Sequence, residues 1–199
     1  MSHRLSRSMH NPDLRREKLE QAILFFVTHL EIQQLGKTEL MKLLYYADFD
    51  HFEQYDDSVT GARYRRLEHG PVPDDAWAVL DEMVERKRLV PARVPSGPYD
   101  LITFQAQESF DPTAFSASER ATLQEVAERF KAFSTKQIEN ATHGEAPWIA
   151  VKPNEIIPYY LAYYRNNYGG MEMDEDKETG EPAERPTEDA VFAREVVSA

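Results

Sequence analysis

Apolar residues recur at helical spacing along most of this chain. Leu19, Ala22, Ile23, Phe26 and Leu30 follow Asn11-Pro12-Asp13 and share one helix face. Asn11 can accept from the first free amides, and Pro12 costs nothing at a first helical position, so a helix start is predicted there. Gly36 separates this helix from the next, which Thr38 is placed to cap. The second helix carries two stripes, one of Leu40, Leu43, Leu44, Ala47 and His51, the other of Met41, Tyr45, Asp48 and Phe52. Apolar residues on two faces imply burial around much of the circumference and a central position.

The period then changes. Tyr55 to Ser58 reads as a loop. Ala62, Tyr64 and Arg66 alternate with Arg63, Arg65 and Leu67, as in a short strand. Gly70-Pro71-Val72-Pro73 is expected to interrupt regular structure, because proline lacks the amide donor and restricts the residue before it. A third helix starts at Asp74 or Asp75 and turns Trp77, Leu80, Met83 and Val84 inward. Leu89–Val94 and Leu101–Ala106 flank the turn chemistry of Pro95-Ser96-Gly97-Pro98, which predicts a β-hairpin. Ser116 with Glu119, and Ser134 with Gln137, form capping boxes that open two further helices. The second of these stops at Gly144, and Pro147-Trp148 falls in the loop after it. Ile156–Tyr164 reads as a last helix with four tyrosines. The fold class is therefore mainly α: a single domain of about six helices with a small hairpin or short antiparallel sheet. It is expected over residues 11–168, after a flexible stretch of residues 1–10. Residues 169–199 are acidic, carry prolines and have few large apolar side chains, so they are expected to be a disordered tail.

Charge narrows the partners. The formal net charge is -12, which disfavours nucleic acid because phosphate binding needs a basic surface. Arg63, Arg65 and Arg66 are the best candidate for a local basic patch. Cysteine is absent, which removes disulfides and thiolate metal sites and fits a reducing cytoplasm. No apolar run is long enough to span a bilayer, and the N-terminal stretch does not read as a secretory signal.

Three constellations could carry chemistry. Asp48 and His51 lie three apart on a helix and could meet His69 and His143 in a metal-dependent hydrolase. The competing reading is a buried polar network around Asp48, with no metal, cofactor or catalytic residue. Serines such as Ser58 and Ser134 sit in no nucleophile elbow or phosphate loop. Tyr64, Arg65, Arg66 and His69 suit either a solvated strand face or a protein interface, where tyrosine and arginine concentrate.

One stretch is more specific. Lys42-Leu43-Leu44-Tyr45-Tyr46-Ala47-Asp48, then Gly61 and Tyr64, then His69-Gly70-Pro71-Val72, resembles the core motif of the Panacea domain, the SocA-like antitoxin family. Thr142-His143 and Pro147-Trp148 resemble its downstream motif, and the resemblance covers roughly residues 18–164. His69 stands where many relatives have tyrosine before Gly-Pro, which keeps an aromatic ring without the phenol. The resemblance implies a mainly helical domain and an antitoxin that neutralises a cognate toxin by binding. One relative acts as an adaptor that presents its toxin to the ClpXP protease, and others are prophage-associated. The helix-turn-helix that some relatives carry is not expected ahead of the first helix here. On this resemblance Tyr64, Arg65, Arg66, His69, Gly70, Pro71 and Trp148 form the expected partner-binding edge, braced from inside by Tyr45, Asp48 and His143. The tyrosine-rich last helix is a candidate homodimer face.

Overall fold

The computed structural model describes residues 12–30, 35–96 and 99–165. The expected flexible N-terminus and acidic tail lie outside the described residues. Helix α1 (Arg16–His29) buries its apolar residues from Leu19 to Val27. Helix α2 (Lys37–Tyr55) is buried without a break from Glu39 to Phe52. It is the central element, as its two stripes predict. A left-handed residue, Asp56, ends it.

Strands β1 (Tyr64–Leu67) and β2 (Gly70–Pro73) form a tight hairpin in the register Tyr64↔Pro73 to Leu67↔Gly70. Helix α3 (Ala76–Glu85) leads to the long hairpin of β3 (Leu89–Ser96) and β4 (Tyr99–Ala106). A 3-10 turn at Pro112–Ala114 precedes α4 (Ala117–Phe130) and α5 (Thr135–His143). Both of these helices open with the predicted capping box. The one-turn helix α6 (Ala146–Ile149), strand β5 (Ile156–Ile157) and a 3-10 helix (Tyr159–Tyr164) follow. The protein is mainly α-helical, with two small antiparallel sheets ordered β2-β1-β5 and β3-β4.

Several local expectations give way. Gly70–Pro73 is a strand despite its two prolines. Asp74 N donates to Arg63 O at 2.8 Å. That bond puts Val72 and Gly70 in the hydrogen-bonded phase of the ladder and leaves both proline nitrogens facing away from β1. The same phasing admits Pro91 and Pro95 in β3, because Gln107 N donates to Arg88 O at 2.9 Å. Helix α1 begins at Arg16 rather than beside Pro12. Arg15 N donates to Thr60 O at 2.7 Å, and its guanidinium donates to Ser58 O and Asp57. The segment is thus held straight against the loop before β1. Gly61, at φ +71°, makes that approach possible, since a Cβ there would collide with Asp13 O. Thr38 lies inside α2, and Gly36 holds the cap position. Pro147-Trp148 forms the short helix α6 rather than a loop. Ile156–Tyr164 is not one helix: Ile156 and Ile157 pair with Arg65 and Tyr64 on the free side of β1.

Candidate partner-binding site

Asp48 sits at the centre of the protein, fully buried on α2. It accepts hydrogen bonds from Thr60 N at 2.6 Å, Tyr64 Oη at 2.8 Å and Tyr159 Oη at 3.2 Å, and from the Thr60 hydroxyl. Tyr159 Oη also reaches Ala62 O at 2.7 Å. Burial raises the Asp48 pKa, and these donors pull it back. Burial likewise pushes the Tyr64 and Tyr159 phenols well above the usual range. Asp48 therefore ties α2, the loop before β1, β1 itself and the last 3-10 helix to one point.

A second buried knot closes the other end of the fold. Arg165 pairs with Glu145 at 2.6 Å and with Asp50 at 2.6 Å. Tyr45 Oη donates to Glu145 at 2.6 Å, and Arg129 reaches Asp50 at 2.8 Å. Burial raises the Glu145 pKa, and Arg165 and the Tyr45 hydroxyl counter it. Glu145, Asp50 and Arg165 escaped sequence reasoning, because their pairing joins residues far apart in the chain and follows no motif.

Around the β1–β2 turn the side chains reach solvent. Arg66 lies over the Trp148 ring, 3.9 Å from its centroid, and donates to Val151 O at 2.6 Å. His143 stacks on the same indole with centroids 4.1 Å apart. Trp148 Nε1 donates to Leu67 O at 3.3 Å, pinning α6 to the hairpin. Ile149 beside it is 60% exposed. His69, in the turn, has Nδ1 3.5 Å from Glu139 Oε1, with its side chain 40% exposed.

Beneath the turn lies Lys42. Its residue is 2% exposed, and among the described residues its amine has neither a hydrogen bond nor an ion pair. A Cβ on Gly70 would stand 3.0 Å from Lys42 Cε and 3.0 Å from Thr142 Oγ1, so glycine is what lets the three pack. Gly70 also sits at φ +119°. Desolvation pulls the Lys42 pKa down to about 8, against Glu39 and Glu139, which raise it. Burial lowers the His143 pKa; Glu139 opposes this, while Lys42, Lys136 and His69 reinforce it. Lys42 belongs to the motif run but was not singled out. A lone lysine in an apolar helix usually carries its amine out to water.

The expected edge is thus only partly an edge. Arg66 and Trp148 adjoin each other, and they and His69 are partly exposed. Arg65 is partly exposed, but its guanidinium is bound in a fork to Asp74 at 2.9 Å on both arms, and to Asn154 O. Tyr64 is wholly buried, and Gly70 and Pro71 are buried as well. In the structure of the chain alone these three are shielded from solvent, unlike the expected edge. Tyr45 and Asp48 are buried, and His143 stacks on Trp148. The histidines and Asp48 do not gather. His51 spends Nδ1 on Asp57 O at 2.6 Å and Nε2 on Ser118 Oγ at 3.2 Å. Among the described residues no group of three or more His, Cys, Asp or Glu is placed to hold a metal ion.

Lys42, His69-Gly70, Thr142-His143 and Trp148 come from three separate stretches and meet at this one corner. Residues 40–149, more than half of the chain, match the family described as Antitoxin SocA-like, Panacea domain. The chain belongs to this family. The matched span of the Panacea domain runs from α2 to α6 and takes in both the Asp48 hub and the surface corner. Membership supports an antitoxin role. No curated protein matches the chain. Among the described residues no helix is long and apolar enough to cross a membrane.

Proposed function

We propose that this protein is a cytoplasmic antitoxin that neutralises a cognate toxin by direct protein–protein binding, without catalysis of its own. The observation that carries the reading is the convergence of the Panacea motif residues on one exposed corner. There Arg66, Trp148 and His143 form a stack flanked by His69 and Ile149. Aromatic rings and arginine are the side chains that concentrate binding energy at interfaces. A standard interface of about 20–30 residues per partner would extend from this corner over the hairpin turn and α6. Arg65 contributes by holding the hairpin in shape.

The buried groups support binding over chemistry. Asp48 and His51 are saturated by protein partners in separate places, so a hydrolase built on Asp48, His51, His69 and His143 has no common point of attack. Steeply salt-dependent DNA retention would instead favour a nucleic-acid regulator.

The test uses the product of the small open reading frame beside this gene. It is expressed alone and with this chain, scoring growth and co-purification. Toxicity rescued by a stable complex is expected. Alanine at both Arg66 and His69 should abolish co-purification while the circular dichroism spectrum stays that of the folded protein and the melt stays cooperative. Undiminished binding by a folded double variant would overturn the placement. Neutralisation by blockade and neutralisation through ClpXP separate in a degradation assay. Toxin loss with purified ClpXP only when this chain is present is the adaptor outcome.

A further inference from the structure

We propose that the recess formed by Lys42, His69 and His143 receives a carboxylate of the bound partner, an Asp or Glu side chain inserted at the mouth beside Trp148. This rests on the partner-binding reading and names the chemistry that the corner recognises.

Three polar atoms in this recess lack partners. The Lys42 residue is 2% exposed, and its amine makes no hydrogen bond or ion pair among the described residues, although Glu39 and Glu139 lie close enough to favour its charge. His69 Nε2 and His143 Nε2 are both buried with no hydrogen-bond partner. An ammonium taken out of water without a counter-ion is a cost that folding alone gains nothing from. Lys42 and Thr142, the neighbour of His143, both lie against Gly70, the neighbour of His69, and Lys42 and His69 both act on His143. The two imidazoles thus flank the amine, and the partly exposed His69 marks the opening. With Nδ1 of His69 turned to Glu139, protonation gives Nε2–H a free direction toward an incoming oxygen.

The surroundings choose the anion. Glu39 and Glu139 act on Lys42, and Glu139 acts on His143 beside Lys136 and His69. With Lys42 and Lys136 offset by these two carboxylates, the site carries little surplus positive charge, so a second negative charge on a ligand gains nothing there. A carboxylate is therefore favoured over phosphate. The rim, with Arg66 lying on Trp148 and with exposed Ile149, offers a surface for a folded partner from which one side chain descends. A free chain end would not need that rim.

The probe is sodium acetate, titrated into the full chain at constant ionic strength while the imidazole resonances are followed by NMR. Saturable shifts at His69 and His143, in the millimolar range, are expected. The His143 pKa should rise by about one unit as an opposite charge arrives. Lys42→Met should remove both effects, and His143→Gln, which leaves Lys42 in place, should weaken the His69 shift. N-acetyl-aspartate N-methylamide, a side-chain mimic, should bind at least as well as N-acetyl-alanine, which ends in a free carboxylate. No saturable shift, an equal response to chloride, or an unchanged response in Lys42→Met would overturn the proposal. Tighter binding of phosphate, or of N-acetyl-alanine, would overturn the assignment to an acidic side chain. Because acetate needs no toxin, the two readings fail separately. A harmless neighbouring gene product leaves the recess intact, and a silent titration leaves toxin binding to be scored by co-purification.

Discussion

Asp48 and Lys42 lie on the same helix and are both shielded from water, yet the fold treats them in opposite ways. Asp48 is met by donors from three other segments, so its charge or its proton is fully accounted for within the chain. Lys42 lies against Gly70 beside a threonine whose hydroxyl already donates to Glu139 O at 2.8 Å, and among the described residues its amine makes no hydrogen bond or ion pair. A buried polar group with every valence used specifies structure; one with its valence open, a glycine's width from a surface corner, is poised for something outside the chain.

The largest break in this comparison comes from Asp48→Ala. It leaves the Tyr64 hydroxyl and the Thr60 amide unpaired in a dry core and the Tyr159 hydroxyl with Ala62 O alone. A loss of about 3–5 kcal/mol is expected in urea denaturation. Next is Arg165→Ala, which strands Glu145 without a cation and leaves Asp50 with Arg129 alone; it should cost about 3–4 kcal/mol by the same measurement.

Lys42 sharpens the contrast through pH. Its pKa in the folded protein, about 8, lies below its ordinary 10.5. Between those values the unfolded chain holds more protons than the native one, so stability rises with pH across that window. The rise should approach roughly 3 kcal/mol. It is cut short near pH 10, where unfolded tyrosines ionise while the buried Tyr45, Tyr64 and Tyr159 resist. Urea midpoints taken from pH 7.5 upward should climb in the wild type and stay flat in Lys42→Met. A flat wild-type curve would mean the amine is solvated. The smallest effect belongs to Trp148→Phe. It keeps a ring between Arg66 and His143 but loses the bond to Leu67 O, and about 1 kcal/mol of stability is expected to go with it.

The legible parts of this fold are those written in short-range pattern. Two apolar stripes placed α2 at the centre, and serine-to-acid or serine-to-amide spacing opened α4 and α5 correctly. The illegible parts depend on ladder phase and on distant partners. Proline at 71 and 73 suggested a break, and only the register with β1 shows that their nitrogens point away from it. Ile156 and Ile157 look helical beside the tyrosines until the vacant side of β1 captures them. In the site, Arg66, His69 and Trp148 were visible as a motif and as interface chemistry. Tyr64 was misplaced because alternation along a strand says which residues share a face, not which face is buried. Arg165 could not be read, since its acids Glu145 and Asp50 lie 20 and 115 residues away and follow no motif.

The most direct test of the difference between the two buried charges is the thermal melt of Lys42→Met at pH 7. A lysine held for binding contributes nothing to the fold, so the variant should melt at or above the wild-type temperature. A melt clearly below the wild type's would show that Lys42, like Asp48, holds the fold together.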